Sequence, residues 1–412
     1  MMKRCVITGM GVITPVGNDV DEFWNNIKNG VCGIDTIKKF DTENFKVKVA
    51  AEIKDFDAEK YVAKKDLKRN DMYSIYALAA SQQAYEQSGI SEDSIDASRF
   101  GVIVGSGIGG IGTIEEQICK MVEKGPSKVS PLFIPMVISN MAAGVVAIRF
   151  GAKGICTSVV TACATGTNCI GEAYRNIKHG YLDACLAGGA EDSITEIAVA
   201  GFTNLTALST ESDPRKASRP FDKDRSGFVM GDGAGILMLE ELEHAKKRGA
   251  KIYAEVVGYG TTCDAYHITS PCVDGAGAAA AMDMAMKEAN IAPEQVSYIN
   301  AHGTGTQAND VGETIAIKKA LGEHAYNVPI SSTKSMTGHL LGAAGAIEAI
   351  ASICAINDSF VPPTIGFAEA DIECDLDYVP NKGKKADLKY VMSNSLGFGG
   401  HNAVLCLKKW EE

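Results

Sequence analysis

Short β-branched runs and longer runs of helical period alternate along the whole chain, and that alternation constrains its fold more than any other feature. Strands are predicted at 4–8, 100–105, 155–161, 183–188, 234–239, 252–258, 296–301, 328–332, 389–394 and 403–408. Helices are predicted at 19–29, 66–88, 134–150, 164–179, 274–290, 308–321 and 338–357. Such interleaving marks an α/β protein in which helices cover a sheet in layers. No Pro/Ser-rich linker and no low-complexity block divides the 412 residues. There is an internal echo: Phe100-Gly-Val-Ile-Val-Gly-Ser-Gly-Ile-Gly-Gly runs parallel to Tyr390-Val-Met-Ser-Asn-Ser-Leu-Gly-Phe-Gly-Gly. Each is a strand entering a glycine-rich turn. Two related halves fused into one body would account for the missing linker.

Composition narrows the function. The net charge of −11 sets the chain apart from nucleic-acid binders, which carry a basic surplus. The twelve cysteines include no C-x-x-C pair, a spacing that argues against a zinc site and against a compact disulfide framework. Free thiols point to a reducing compartment, the cytoplasm. Lys3 and Arg4 before an apolar run imitate a signal peptide, but Gly9, Gly11 and Pro15 break that run. A first β-strand is predicted there instead. No uncharged apolar stretch reaches about 18 residues, so no membrane span is expected.

Cys163 stands out among the cysteines. The apolar run Ile155–Thr161 ends just before it, and Ile170, Tyr174 and Ile177 then recur at helical spacing. Lys178, His179 and Gly180 close that helix. The thiol is thus predicted at a strand-to-helix junction, beside unpaired backbone N–H groups and a positive dipole end. Both favour a thiolate, the form that attacks carbonyl carbon. Most cysteines are simply buried packing, and Cys156, Cys169 and Cys185 are expected to be so.

Three further strand ends carry polar groups into glycine turns. Val296-Ser-Tyr-Ile-Asn-Ala-His-Gly-Thr-Gly-Thr places His302 after a strand. Asp310 and Glu313 follow at D-x-x-E spacing, which reads either as a helix capping box or as part of a site. Val328-Pro-Ile-Ser-Ser-Thr-Lys-Ser-Met-Thr-Gly-His carries Lys334 and His339 between a strand and a long helix. His339 is predicted in the first helical turn, whose positive end would keep its ring neutral. Gly338, Gly342, Gly345 and Ala346 make a small face that implies close helix packing, and Glu348 is either surface-facing or part of a buried polar network. Asn394-Ser-Leu-Gly-Phe-Gly-Gly-His-Asn holds Phe398 among three glycines. A thiol would attack an acyl thioester, and two neutral imidazoles would donate to a developing enolate oxygen. Gly105, Gly107 and Gly110 also match the form of a dinucleotide fingerprint, but no acidic strand end follows at the required distance.

Taken in order, Thr-Ala-Cys-Ala-Thr-Gly, Asn-Ala-His-Gly-Thr, Thr-Lys-Ser-Met-Thr-Gly-His and Gly-Phe-Gly-Gly resemble the β-ketoacyl-acyl-carrier-protein synthases, in particular the elongating type of bacterial fatty-acid synthesis. The resemblance covers essentially the whole chain. It implies a thiolase-like fold of two similar halves, 1–255 and 256–412, in α-β-α-β-α layers. It implies a homodimer acting on acyl- and malonyl-loaded acyl-carrier protein. Cys163 would take the acyl chain, and the amides of Cys163 and Phe398 would hold the oxyanion. His302 and His339 would stabilise the enolate left by malonyl decarboxylation. Lys334, with Glu348, would support the site electrostatically, and Phe398 would gate it. The resemblance further implies that Thr304 and Thr306 contact the phosphopantetheine arm, that Gly399 binds substrate, and that Ile108 and Phe202 wall the acyl chain.

No cofactor is implied beyond the phosphopantetheine of the substrates. Some relatives hold a monovalent cation, Na+ or K+, which here would sit near Asn300 and Glu348. Lys64, Lys65, Lys68 and Arg69 share a helical face in this reading and would dock the acidic carrier. Gly305 and Gln307 depart from the family turn Gly-Thr-Ser-Thr-Pro and should loosen it, and Leu396 stands where phenylalanine is common. The alternatives are a thiolase or polyketide-type condensing enzyme, or a partner subunit that does not condense.

Overall fold

The computed structural model describes residues 2–411. Its frame is a ten-stranded sheet: β1 (Cys5–Ile13), β2 (Phe100–Gly105), β3 (Cys156–Thr157), β4 (Ala184–Glu191), β5 (Gly233–Glu241), β6 (Ala254–Cys263), β7 (Val296–Asn300), β8 (Ile330–Ser331), β9 (Tyr390–Gly397) and β10 (His401–Lys409). The spatial order is β8-β7-β9-β10-β6-β1-β5-β4-β2-β3. The two ends match strand for strand. β3-β2-β4-β5-β1 and β8-β7-β9-β10-β6 share one order. In each, the first two pairings are parallel and the next two antiparallel. Within the sheet, the pairings Cys5–Val256, Val6–Glu255 and Ile7–Ala254 join the halves across the middle.

This topology corrects the sequence echo. The counterpart of β2 is β7, and the counterpart of β9 is β4. Phe100–Gly110 and Tyr390–Gly400 look alike because both strands end in turns that need close backbone approach, not because they occupy equivalent places. The chain passes from one half to the other between Glu241 and Ala254, so a division at 255/256 would fall inside β6.

Five helices matter for the site. α1 (Met72–Ser88) and α3 (Ala276–Ala289) cover the outer faces, α1 on β1, β4 and β5, α3 on β6 and β10. α2 (Thr165–Lys178) and α5 (Ala344–Asp358) lie inside, each touching strands of both halves. α4 (Gln307–Leu321) packs against α3. The inner pair approach closely because Gly166 faces the Ala346 backbone and Gly345 faces Thr167; a Cβ at either glycine would collide. That is the small face predicted from the sequence. The span Leu341–Asp358 is long and apolar enough to cross a membrane, but 89% of it is buried inside the protein. Burial against both halves, not a bilayer, satisfies its apolar surface.

Several predicted bounds shift. The helix expected at 66–88 begins at Met72, and Lys64–Leu67 forms a separate single turn. The helix expected at 134–150 splits into Phe133–Val137 and Met141–Phe150. The strand expected at 155–161 shrinks to Cys156–Thr157 at the edge of the sheet, where Cys156 is exposed rather than buried. Both residues of this edge strand are exposed, and its outer side leaves backbone N–H and C=O groups unpaired.

Candidate active site

Cys163 lies in the single tight turn Ala162–Ala164, immediately before α2. Ala162 is held at φ 50°, a left-handed conformation unusual for alanine, and this lifts the next residue to the cavity. The amides of Cys163 and Phe398 both point at the sulfur. Burial nevertheless pushes the thiol up to about 12, with the Lys334 charge only partly opposing it. The expected resting thiolate is therefore not what this environment favours. Desolvation of the charged form outweighs the helix-end amides.

His302 follows β7, held by α4. Glu313 accepts the amides of His302 and Gly303 at 2.8 Å each. Asp310 accepts the amides of Thr304 at 3.1 Å and Gly305 at 3.3 Å. The D-x-x-E pair is therefore not a capping box: α4 begins after Thr306, and both carboxylates turn inward to fasten the histidine loop. The loop is not loosened by Gly305 and Gln307 as expected. Gly305 sits at φ 79°, where a side chain would be strained, and the Gln307 amide donates to the Arg225 carbonyl at 2.8 Å.

His339 does not occupy a first helical turn. It lies between the short helix Lys334–Thr337 and the turn Leu341–Ala343, bridged to Met230. Its ring is kept neutral all the same, by burial and by the Lys334 charge rather than a helix end. His302 is driven well below the ordinary imidazole range by the same two causes and by His339. The two rings stand edge to face with centroids 5.3 Å apart. Among the described residues, both ring nitrogens of His339 and Nδ1 of His302 have no hydrogen-bond partner. Buried imidazoles are normally satisfied, so these nitrogens are left for something that enters the cavity.

Lys334 and Glu348 form a wholly buried ion pair, each 1% exposed, which settles Glu348 as part of an internal network. Burial raises Glu348 to about 7, against the pull of Lys334. Its second oxygen, the side-chain oxygens of Asn300 and Asn394, and the Ser393 hydroxyl have no partner among the described residues. Ser393 and Asn300 face each other across β9 and β7.

The cavity joining these groups holds about 290 Å³. Cys163, His302 and His339 lie on its wall with Ile108, Phe202, Thr304, Thr306, Leu396 and Phe398. Phe202 and Phe398 meet with ring centroids 6.4 Å apart. Gly399 does not line it: that residue is exposed, and its amide donates to the Ile268 carbonyl at 2.8 Å. Lys64, Lys65, Lys68 and Arg69 are exposed, but on the broken Lys64–Leu67 turn and just beyond it rather than on one helical face. Lys64 pairs with Glu59 and Arg69 with Asp66.

Sequence reading missed Glu191. This carboxylate, at the end of β4 and wholly buried, collects five donors. Oε1 takes the Ser106 hydroxyl at 2.8 Å, the Ser193 hydroxyl at 3.1 Å and the Ile108 amide at 3.2 Å. Oε2 takes the Gly107 amide at 2.7 Å and the Gly342 amide at 2.9 Å. Three backbone amides and two hydroxyls meet here, and a Cβ on Gly342 would fall on the Gly107 amide. This close packing is what the apparent dinucleotide fingerprint serves. Glu191 has no neighbouring motif in the sequence, so no signal there could have found it.

Residues 2–245 match the Beta-ketoacyl synthase, N-terminal domain family, and residues 253–368 match the Beta-ketoacyl synthase, C-terminal domain family. A 3-oxoacyl-[acyl-carrier-protein] synthase 2 of Synechocystis sp. is 52% identical over 410 residues, 99% of each chain. One of Staphylococcus aureus is 53% identical over 409 residues, again 99% of each. Among solved structures, a beta-ketoacyl synthase from Burkholderia phymatum superposes with a TM-score of 0.92 at 37% identity, over 100% of both chains. A type II polyketide ketosynthase, solved in complex with its acyl-carrier protein, gives 0.93 at 37% identity, also over 100% of both. Matched in sequence through both halves and in shape from end to end, the chain belongs to the β-ketoacyl synthase family.

Proposed function

We propose that this protein elongates fatty acyl chains by decarboxylative Claisen condensation between an acyl group on Cys163 and malonyl-acyl-carrier protein. One observation carries the reading: a thiol, two neutral imidazoles and two amides converge on a single cavity. As the sulfur attacks the incoming thioester, its proton passes to a free imidazole nitrogen. Burial disfavours the imidazolium, so the proton moves on to the departing phosphopantetheine thiol. The Cys163 and Phe398 amides receive the oxyanion of the tetrahedral intermediate. Malonyl thioester then loses CO2, and N–H groups of His302 and His339 donate to the enolate oxygen. The enolate carbon attacks the acyl-Cys163 carbonyl, giving a 3-oxoacyl chain two carbons longer and expelling the Cys163 thiolate, which takes up a proton from solvent.

Burial and, after it, the Lys334 charge keep both rings neutral, and Glu348 balances that charge inside the protein. Thr304 and Thr306 contact the arm, Ile108 and Phe202 wall the acyl chain, and Phe398 gates between half-reactions. The test is mass spectrometry of Cys163 after incubation with acyl-carrier proteins of graded chain length, followed by malonyl-acyl-carrier protein. An acyl adduct on Cys163 that converts to a 3-oxoacyl product supports the reading. No adduct on this residue from any chain length defeats it. A thiolase would need a second reactive cysteine; among the described residues Cys163 is the one cysteine on the cavity wall.

Carrier docking at Lys64, Lys65, Lys68 and Arg69 is part of the proposal. Charge reversal of Lys68 and Arg69 should weaken use of carrier-bound acyl groups and spare small thioesters, and equal loss on both would refute it. A monovalent cation, Na+ or K+, fits beside Asn300 and Glu348, because the unpartnered oxygens there are acceptors with no donor. Raising K+ against a large organic cation should then raise the melting temperature; no change would remove the ion from the account.

A further inference from the structure

Cysteine spacing argued against a zinc site, yet the fold builds the donor set of one. A sulfur of Cys163 and ring nitrogens of His302 and His339 all lie within 4.8 Å of one another. Bonds of about 2.0–2.3 Å to a tetrahedral Zn2+ place neighbouring donors about 3.5 Å apart, within reach of small side-chain rotations. Both nitrogens of His339 and Nδ1 of His302 are unpartnered and buried. The cavity leaves room for a water as fourth ligand. The Lys334 ammonium opposes an incoming cation, but Glu348 is bound directly to it and offsets that charge.

We propose that Cys163, His302 and His339 together bind Zn2+ as a reversible inhibitory ion, through the sulfur and one nitrogen of each ring, with water in the fourth position. The step balances as Cys163–SH plus aqueous Zn2+ giving Cys163–S–Zn+ plus one proton released to solvent. No redox partner is involved. Apparent affinity should therefore rise about tenfold per pH unit for as long as the free thiol holds its proton. A bound ion occupies the nucleophile and both enolate donors together, so it blocks both half-reactions. An acyl group on Cys163 removes the sulfur ligand and excludes the ion. That the ion inhibits rests on the condensation mechanism above; that it binds does not.

The whole protein is titrated anaerobically with Co2+, reading the thiolate-to-cobalt absorption, and Zn2+ is then used to displace it. Cys163→Ser, His302→Ala, His339→Ala and, as a surface control, Cys272→Ser are compared, with thermal melts to check folding. In parallel, Zn2+ is added to wild-type protein, and alkylation of each cysteine by iodoacetamide is followed by mass spectrometry. The expected result is one ion per chain, lost in Cys163→Ser, weakened by about 100-fold in each histidine variant, and unchanged in Cys272→Ser. Zn2+ should protect Cys163 from alkylation, and EDTA should restore it. A cobalt–thiolate band that survives Cys163→Ser overturns the proposal. So does Zn2+ that leaves the wild-type Cys163 alkylation rate unchanged, a result that needs no variant to fold. If no acyl group ever loads onto Cys163 but Zn2+ still protects it, the condensation reading falls and the metal site stands.

Discussion

In the proposed reaction Cys163 is the nucleophile, and its surroundings hold it as a thiol. Its thiol is pushed up to about 12 by burial, while the rings facing it are held neutral by burial and Lys334. Two pH effects follow, with definite signs. Alkylation of Cys163 should quicken about tenfold per pH unit from pH 6 to pH 9 without levelling, because the thiolate fraction is still rising. A plateau below pH 8 in a rate profile would show a preformed thiolate and contradict this environment. The imidazoles gain protons only well below their ordinary range, so kcat/KM for malonyl decarboxylation should stay flat from pH 8 down to pH 6. Loss of decarboxylation with a midpoint near pH 6.5 would mean that the rings titrate as if exposed.

Elements meet at the site through apolar packing around Cys163, and a few buried carboxylates fasten their backbones. Glu191 ties the Ile108 wall, the end of β4 and the turn after His339 into one joint. Leu341, beside the Gly342 amide that Glu191 accepts, is held at φ 45° and lines the cavity. Glu191→Gln keeps the shape but replaces one acceptor oxygen with a donor facing converging donors. The variant should lose about 1–3 kcal/mol of stability, measured by chemical denaturation. Its acylation by long acyl chains should fall more than its acylation by acetyl, since Ile108 is displaced. Equal loss across chain lengths would reduce Glu191 to a structural part alone. Asp310 and Glu313 act likewise on the His302 loop, which explains why a pair that reads as a helix cap is found facing inward.

At the scale of the whole molecule, the first half ends in an uncovered edge. β3 is two residues long, and Ile155 and Val160 beside it are exposed at 36% and 49%. On the Met141–Phe150 helix, which packs against β3, Ile148 is also open at 81%. A single chain seldom exposes so much apolar surface around an unpaired strand. A second copy pairing along β3 would cover it. Sedimentation should therefore find a dimer, and Val160→Asp should shift it towards monomer by at least about tenfold in dissociation constant. A wild-type monomer at micromolar concentration would refute the pairing.

Local order was legible from the chain itself. Periodicity located most strands and α2 to α4 to within a few residues, because repeating apolar contacts leave repeating letters. The glycine turns and their polar residues marked Cys163, His302, His339 and Phe398 as candidates, because close backbone approach tolerates little besides glycine. What the letters could not hold was everything set by distance in space. Burial, not helix ends, decides the charge of the thiol and the rings, and burial is a property of all neighbours at once. The true partnering of strands between halves, the inward turn of Asp310 and Glu313, the five-donor joint at Glu191 and a sulfur–nitrogen cluster assembled from both halves exist only after the chain has folded.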